Sequence, residues 1–191
     1  MTERRREKFL RVLRQRQPDL TVVMENIHDP HNVSAILRSA DATGILEVQL
    51  IYTDEKFPRL GKKSSASAAK WVTHRTFTSV GECYSRLRKE GFRLYATHLG
   101  KKSKPLFELD LTEKVALVFG NEHRGVSSEA AKLADENFQI PMVGMIESLN
   151  VSVACAVSLY EAYRQRQACG GRDAGLADQE IVRLFSEWTK R

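Results

Sequence analysis

Residues 20–44 decide the fold of this chain. The stretch begins with Leu20-Thr-Val-Val-Met-Glu-Asn-Ile27, an apolar, β-branched run that is typical of a buried parallel strand. Asp29-Pro30 then offers a helix start, and Gly44 offers a helix end. Between them the apolar side chains recur at helical spacing, at Val33, Ile36, Leu37 and Ala40. A buried strand followed at once by an amphipathic helix predicts a β-α unit, from which parallel sheets are built.

The rest of the chain repeats this alternation of strand and helix. Further strands are predicted at residues 45–52, 71–77, 92–97, 114–119 and 138–140. Further helices are predicted at residues 2–17, 79–90, 127–134, 148–167 and 176–190, with exposed loops at residues 59–69 and 98–105. The fold class is therefore α/β, with a mostly parallel sheet and helices on both faces. We expect three parts: a basic N-terminal helix (1–19), a central domain (20–168) and a helical C-terminal extension (169–191).

Composition excludes several classes of protein. Of the 191 residues, 42% are hydrophobic and 28% are charged, which fits an ordinary globular chain and not a disordered one. No apolar run approaches the roughly 20 residues of a membrane span, and the N-terminus does not resemble a signal peptide. Cys83, Cys155 and Cys169 form no CxxC pair, and the histidines show no convincing metal spacing. We expect a cytoplasmic protein with no metal and no membrane partner.

Basic side chains are clustered in two places. The formal net charge is +6, and residues 1–16 alone carry seven basic side chains against two acidic ones. A second stretch, residues 59–75, carries five basic side chains and no acidic one. A solvated face explains one such cluster as well as RNA does, but two clusters in a small domain favour a nucleic-acid partner. The candidate RNA contacts are Arg5, Arg11, Arg14, Lys62 and Lys63.

Two polar segments follow predicted strands at the carboxyl edge of the sheet, where open parallel sheets bind ligands. In the first, helical spacing places Ser34, Arg38 and Asp41 on one polar side, which is either functional or a surface Arg–Asp pair. The second is Gly120-Asn-Glu-His-Arg-Gly125, whose glycines allow the backbone to approach a ligand, although a simple turn has the same pattern. It matches neither the dinucleotide-binding fingerprint nor the P-loop.

A third segment, residues 140–158, combines an apolar loop with a helix. The loop contains Pro141 and Gly144 and leads into a helix capped by Ser or Asn. Two interpretations fit: a loop that covers the core, or a pocket of apolar side chains and free backbone groups for a purine ring. Small residues early in the helix permit close packing against a neighbour, in this chain or in a second subunit.

Together these segments resemble the three motifs of the SPOUT RNA 2′-O-ribose methyltransferases. The motifs read Asn32-x-x-Ala35-x-x-Arg38-Ser-Ala-x-x-x-Gly44, Phe119-Gly120-Asn-Glu122-x-x-Gly125 and Ile140-Pro-Met-x-Gly-Met-x-x-Ser148-Leu-Asn150-Val-Ser-Val-Ala. The surrounding sequence is similar to the TrmH-type tRNA (guanosine 2′-O)-methyltransferase branch. The similarity covers residues 17–167 and is weakest in the first helix and in the tail after residue 171.

The resemblance implies a C-terminal deep trefoil knot, a homodimer and S-adenosyl-L-methionine bound in the knot. It implies cofactor contacts from Thr97, Leu99, Gly120, Ile140, Met142 and Leu149. Arg38 matches the catalytic arginine of the family, and its supporting residues are Asn32, Glu122, Ser148 and Asn150. The implied reaction is methylation of a ribose 2′-hydroxyl in tRNA, at guanosine-18 of the D-loop. The alternatives are methylation of ribosomal RNA and a non-catalytic RNA-binding module; a nucleotide-dependent oxidoreductase is disfavoured by the missing glycine fingerprint.

The implied chemistry leaves the role of Arg38 open. A ribose 2′-hydroxyl oxygen attacks the sulfonium methyl group, and something must remove or share its proton. Arg38 either loses a proton transiently and acts as the base, or stays charged, binds an RNA phosphate and stabilises the developing alkoxide. The first role is difficult because guanidinium pKa values lie above roughly 12.

Overall fold

The described strands form one sheet. The computed structural model describes residues 1–53, 58, 68–170 and 175–190. Its strands are β1 (Leu20–Glu25), β2 (Glu47–Ile51), β3 (Thr73–Phe77), β4 (Arg93–Thr97), β5 (Lys104–Pro105), β6 (Val115–Phe119) and β7 (Glu136–Gln139). They lie in the order β3-β2-β1-β6-β4-β7-β5, and every pairing between these described strands is parallel. The predicted α/β class with a mostly parallel sheet is therefore confirmed.

Helices cover both faces of the sheet, as predicted. They are α1 (Glu3–Arg14), α2 (Pro30–Ala42), α3 (Val80–Lys89), α4 (Ser128–Leu133), α5 (Val151–Ala168) and α6 (Asp178–Thr189). In β1, Val22 and Met24 pack with α2 and α5, while Val23 packs with α3 and α4. Because successive strand residues point to opposite faces, a continuous apolar run such as β1 fills both cores.

The two terminal helices form a third cluster beside the sheet. Phe9 and Leu13 of α1 are buried against Leu184 and Trp188 of α6. Trp71, just before β3, packs against the same cluster. The basic helix α1 is thus attached by its apolar stripe, and its charged side is left outward.

Element ends differ from the predictions where a side chain or a backbone contact decides them. Helix α5 begins at Val151 and not at residue 148, because Asn150 is its N-cap. Helix α1 ends at Arg14, before the predicted residue 17, since the Gln17 N–H donates to the Gly44 carbonyl. The predicted loop at 98–105 ends in the short edge strand β5.

Most of the loop predicted at residues 59–69 lies outside the described residues, and so do Lys62 and Lys63. Where the chain is described, none of its helices has the length and apolar character needed to cross a membrane. No group of three or more His, Cys, Asp and Glu side chains in these same ranges is placed to hold a metal ion.

Candidate functional site

A cleft of about 480 Å³ opens beyond the carboxyl ends of β4 and β7. Five of the six predicted cofactor contacts line it, and so does Ser148: the five are Thr97, Leu99, Ile140, Met142 and Leu149. Phe138 and Ala154 supply further apolar wall. A cleft of this size, with apolar walls and strand ends that present backbone groups, can hold a nucleoside.

Gly120, the sixth predicted cofactor contact, lies behind one wall of the cleft and not in it. A Cβ atom at this position would stand 2.1 Å from the Gly125 carbonyl carbon and from the Val126 nitrogen. Gly125 itself has a φ of +68°, a conformation that glycine adopts at little cost. The turn 120–126 therefore closes on itself at Gly120 and presents Gly125 and Val126 to the cleft.

Asn121 holds this turn in shape. Its Oδ1 accepts from the backbone N–H groups of His123 and Arg124, at 2.9 and 3.2 Å. Its Nδ2 donates to the Asn26 carbonyl at 3.0 Å, at the end of β1. The second motif is thus fastened to the segment that leads into α2.

Three of the predicted supporting residues form one chain of hydrogen bonds. Asn150 Nδ2 donates to Asn32 Oδ1 at 3.0 Å, and Asn32 Nδ2 donates to Glu122 Oε1 at 2.9 Å. The Oδ1 of Asn150 also caps α5, accepting from the Ser152 N–H at 2.9 Å. One chain therefore joins the starts of α2 and α5 to the turn that walls the cleft. These three residues come from motifs about 90 and 118 positions apart, which only the family resemblance had grouped together.

Glu122 is held as a carboxylate. Partial burial acts to raise its pKa, but hydrogen bonds from Asn32 and from backbone N–H groups, including those of His28 and Asp29, outweigh burial and lower the pKa. Those two backbone groups lie 3.4 and 3.3 Å from the carboxylate oxygens. An ionised acceptor at this point fixes the start of α2.

Arg38 lies eight residues along α2 from Pro30, about 12 Å along the helix axis. Its side chain is exposed, does not line the cleft, and makes no ion pair or hydrogen bond within the described part of the chain. The alternative of a surface pair with Asp41 is wrong, because Asp41 pairs with Arg16 at 2.6 Å. Ser34 does not share the polar side with Arg38 as predicted; it is buried, on the side of α2 that packs into the core.

The loop before α5 does not cover the core. Val143, Met145 and Ile146 expose 106%, 100% and 63% of their surface. Val153, Tyr160 and Tyr163 on α5 are exposed as well, and these side chains together with those of the loop are named the exposed apolar strip. The core-covering interpretation of this loop is therefore wrong for a single copy of the chain, because its apolar side chains face solvent.

Several residues that line the cleft were not among the predicted site residues: His98, His123, Arg124 and Glu147. A signal was present for three of them. His98 directly follows β4, and His123 and Arg124 lie inside the glycine-bounded turn. Glu147, in an irregular loop, had no comparable signal.

The predicted RNA contacts on α1 are exposed, but one basic residue of the same N-terminal cluster is buried. Arg5, Arg11 and Arg14 lie on the outer side of the helix. Arg16, counted with the first basic cluster, is 2% exposed and bonded inside the protein. It cannot contribute to an RNA surface.

Fold and cleft together define an α/β protein with a site for a nucleoside cofactor. A model of the SpoU rRNA Methylase family matches residues 19–160. The chain belongs to the SpoU rRNA Methylase family.

Three known proteins illustrate the similarity. The tRNA (guanosine(18)-2'-O)-methyltransferase of Thermus thermophilus is 44% identical over 191 residues, covering 100% of this chain and 98% of that protein. The crystal structure of the Aquifex aeolicus TrmH/SpoU tRNA modifying enzyme matches with a TM-score of 0.91 and 36% identity, over 98% of this chain and 96% of that one. The SpoU Methyltransferase AviRb from Streptomyces viridochromogenes, in complex with AdoMet, matches with a TM-score of 0.68 and 27% identity, over 85% and 63% of the two chains.

Proposed function

We propose that this protein transfers a methyl group from S-adenosyl-L-methionine to the ribose 2′-hydroxyl of guanosine-18 in tRNA. The observation that carries the proposal is the joining of the three motifs around one cleft by the Asn150–Asn32–Glu122 chain. Full-length similarity to an enzyme named for this reaction supports it.

The cleft fits the cofactor. Its apolar residues Ile140, Met142 and Leu149 suit a purine ring, and its volume of about 480 Å³ suits a nucleoside with a short chain. Arg124 and Glu147, also at the cleft, suit the carboxylate and the ammonium of an amino acid. When bound, the cofactor supplies an electrophilic methyl group.

The chain's own residues bind and orient the RNA and hold the reaction geometry. The exposed guanidinium of Arg38 binds an RNA phosphate beside the target ribose and stabilises negative charge that develops on the 2′-oxygen as the hydroxyl proton passes to solvent water. Glu122, Asn32 and Asn150 keep α2 at a fixed distance from the cleft wall. Ser148, on the cleft wall, helps to position the ribose.

The proposed assembly is a homodimer, and the exposed apolar strip is its support. Val143, Met145 and Ile146, with the exposed side chains of α5, offer a surface that a second copy would bury. Arg38 lies away from the cleft of its own chain, so a dimer that sets the Arg38 face of one copy against the cleft of the other completes the site. The segment 140–150 leads from β7 back to α5, which packs on α2; the proposed trefoil knot lies at this crossing.

The remaining assignments follow from the same proposal. The unit 20–168 is the methyltransferase domain, and the terminal helices, residues 1–19 and 169–191, set substrate range. The place of action is the cytoplasm, where tRNA is modified.

The contribution of α1 to RNA binding has its own test. Replacing Arg5, Arg11 and Arg14 by Ala should weaken tRNA binding and flatten its salt dependence by roughly one unit of log–log slope per lost phosphate contact. Turnover at saturating tRNA should be nearly preserved, because these phosphate contacts lie far from the reacting methyl group and serve only to place the RNA. An unchanged slope would mean that these arginines only keep the protein soluble.

Radioactive S-adenosyl-L-methionine and separate pools of tRNA and ribosomal RNA test the reaction itself. We expect label in 2′-O-methylguanosine from tRNA, mapped to position 18 by fragment analysis. The matched control is a tRNA transcript with 2′-deoxyguanosine at position 18, which should take no label. Label confined to ribosomal RNA would establish the ribosomal alternative, and RNA binding without label in either pool would establish a binding module.

A further inference from the structure

We propose that Arg16 is a positioning residue, which docks the RNA-binding helix α1 on the helix that carries Arg38. The inference rests on the proposed function, because it uses the RNA contacts assigned there to α1. Arg16 is basic but does not belong to the RNA-binding surface, and this proposal gives it a role.

The guanidinium of Arg16 fastens three segments at the amino edge of the sheet. It donates to Asp41 Oδ1 at 2.6 Å, to the Ile45 carbonyl at 2.8 Å and to the Trp71 carbonyl at 3.3 Å. Asp41 lies near the end of α2, and the two carbonyls precede β2 and β3. A planar group with five donors can serve three acceptors at once, which the single ammonium of a lysine cannot do in the same geometry.

The same guanidinium also binds the terminal helices. Its central carbon lies 5.3 Å from the ring centroid of Trp188 in α6. Trp188 in turn contacts Trp71 and Phe9, with ring centroids 4.9 and 5.7 Å apart. Helices α1 and α6 therefore form one unit, and Arg16 is where this unit meets the end of α2.

Burial excludes a direct role of Arg16 in RNA binding. Its side chain exposes 0% of its surface, whereas Arg11 and Arg14 on the preceding turns are exposed. Its partner Asp41 lies three residues beyond Arg38 on α2, about 4.5 Å along the axis. A phosphate held by α1 is therefore held at a fixed distance from Arg38.

A double-mutant cycle tests the coupling. One arm is Arg16→Lys, which keeps the positive charge but loses the planar guanidinium with its several donors. The other arm is the pair Arg11→Ala and Arg14→Ala. We expect Arg16→Lys to raise the KM for tRNA about tenfold, with kcat and cofactor affinity nearly unchanged. The Arg11/Arg14 pair should raise KM several-fold in the parent protein and less than twofold in the Arg16→Lys protein, because an undocked α1 no longer presents its charges.

Intrinsic fluorescence reports on the same junction. The chain has two tryptophans, Trp71 and Trp188, and both contact the Arg16 guanidinium or its acceptors. Arg16→Lys should shift their emission. The matched control is Arg166→Lys, which alters another buried arginine that contacts neither tryptophan; it should lower the thermal midpoint and leave both the emission and the effect of the Arg11/Arg14 pair unchanged. If Arg16→Lys fails to fold, Asp41→Asn removes the ion pair from its other side.

Each outcome decides a different point. Additive effects on KM, or an unchanged emission spectrum, would overturn the docking role of Arg16 while leaving the RNA role of α1 intact. No effect of the Arg11/Arg14 pair in the parent protein would show that α1 does not bind RNA, and the inference would fall with that part of the proposed function. Loss of cofactor affinity in Arg16→Lys would show general damage to the fold and would also overturn it.

Discussion

The two edges of the sheet use arginine in opposite ways. At the amino edge, Arg16, Arg75 and Arg166 are bonded to carboxylates or backbone carbonyls of neighbouring segments. At the carboxyl edge, Arg124 on the cleft turn makes no ion pair within the described part of the chain. Arg38, on the exposed side of α2, makes none there either. A guanidinium that donates to acceptors on several chain segments holds those segments together. An exposed guanidinium without such a partner is available to a ligand.

The largest expected effect is on Arg38. Arg38→Ala should reduce methyl transfer to tRNA by about 1,000-fold or more, because a charge that stabilises the developing alkoxide is lost. Cofactor affinity should stay within a few-fold, since Arg38 does not line the cleft. Single-turnover kinetics and calorimetry with the cofactor make the two measurements. A cofactor affinity that collapses along with the rate would place Arg38 in the cofactor site and remove the contrast.

Arg166, at the amino edge, should show the reverse behaviour. Its guanidinium bonds Asp19 Oδ1 at 2.6 Å and the carbonyls of Leu111 and Glu113 at 2.9 and 2.6 Å. Arg166→Leu should lower the free energy of unfolding by about 3 kcal/mol, because the acceptors stay buried without their donor. Chemical denaturation measures this loss. The matched control is Arg183→Leu on α6, whose carboxylate partners Glu180 and Glu187 are exposed; it should leave stability unchanged within error.

The next largest expected effect is on cofactor affinity, at the wall of the cleft. Leu149→Arg should lower cofactor affinity about tenfold to 100-fold, because a long side chain fills the purine space without entering the core. The matched control is Val182→Arg on α6, an equally apolar but exposed position far from the cleft. Calorimetry on both folded variants decides the matter. If the Leu149→Arg protein binds the cofactor as the parent does, this loop is not part of the site.

Much of the fold could be predicted because the central strands β1 and β6 are buried on both faces. Continuous runs such as that of β1 leave little choice of structure, so the position of each long strand was predicted to within a few residues. Element ends were less predictable. The end of α1 depends on the Gln17 contact with Gly44, and β5 depends on its pairing with β7, and neither is visible in a local pattern.

Site residues that belong to the three motifs could be predicted from the sequence. Residues whose role depends on tertiary contacts could not. The Asn32–Glu122 bond joins residues that only the resemblance connected. Arg16 was counted with the first basic cluster because charge counting ignores side-chain direction. A signal existed: Arg16 lies seven residues after Phe9 and three after Leu13, on the buried stripe of α1, although the helix itself ends at Arg14.

The smallest expected effect is a dependence of stability on pH at the amino edge. Hydrogen bonds from Arg75 lower the pKa of Glu90 to about 2, against the opposing effect of burial and with further help from Arg86. Arg75 Nη1 donates to Glu90 Oε1 at 2.7 Å and Arg75 Nη2 donates to Glu90 Oε2 at 2.9 Å. Because the folded pKa is depressed, this carboxylate stabilises the fold above its unfolded pKa, and the contribution is lost as pH falls from about 4.5 toward 2.

Glu90→Gln should therefore lower the free energy of unfolding at pH 7 by about 1 to 2 kcal/mol, allowing for solvent screening of a partly exposed group. The difference between the variant and the parent protein should shrink as the pH is lowered and nearly vanish near pH 2, where the parent carboxyl is itself becoming protonated. Urea unfolding at a series of pH values measures both proteins. Cofactor affinity, measured at pH 7, should be the same in the two, because Glu90 lies at the edge opposite the cleft. A difference in stability that stays constant from pH 7 to pH 3 would mean that packing, and not the ionised pair with Arg75, is what Glu90 contributes at the amino edge.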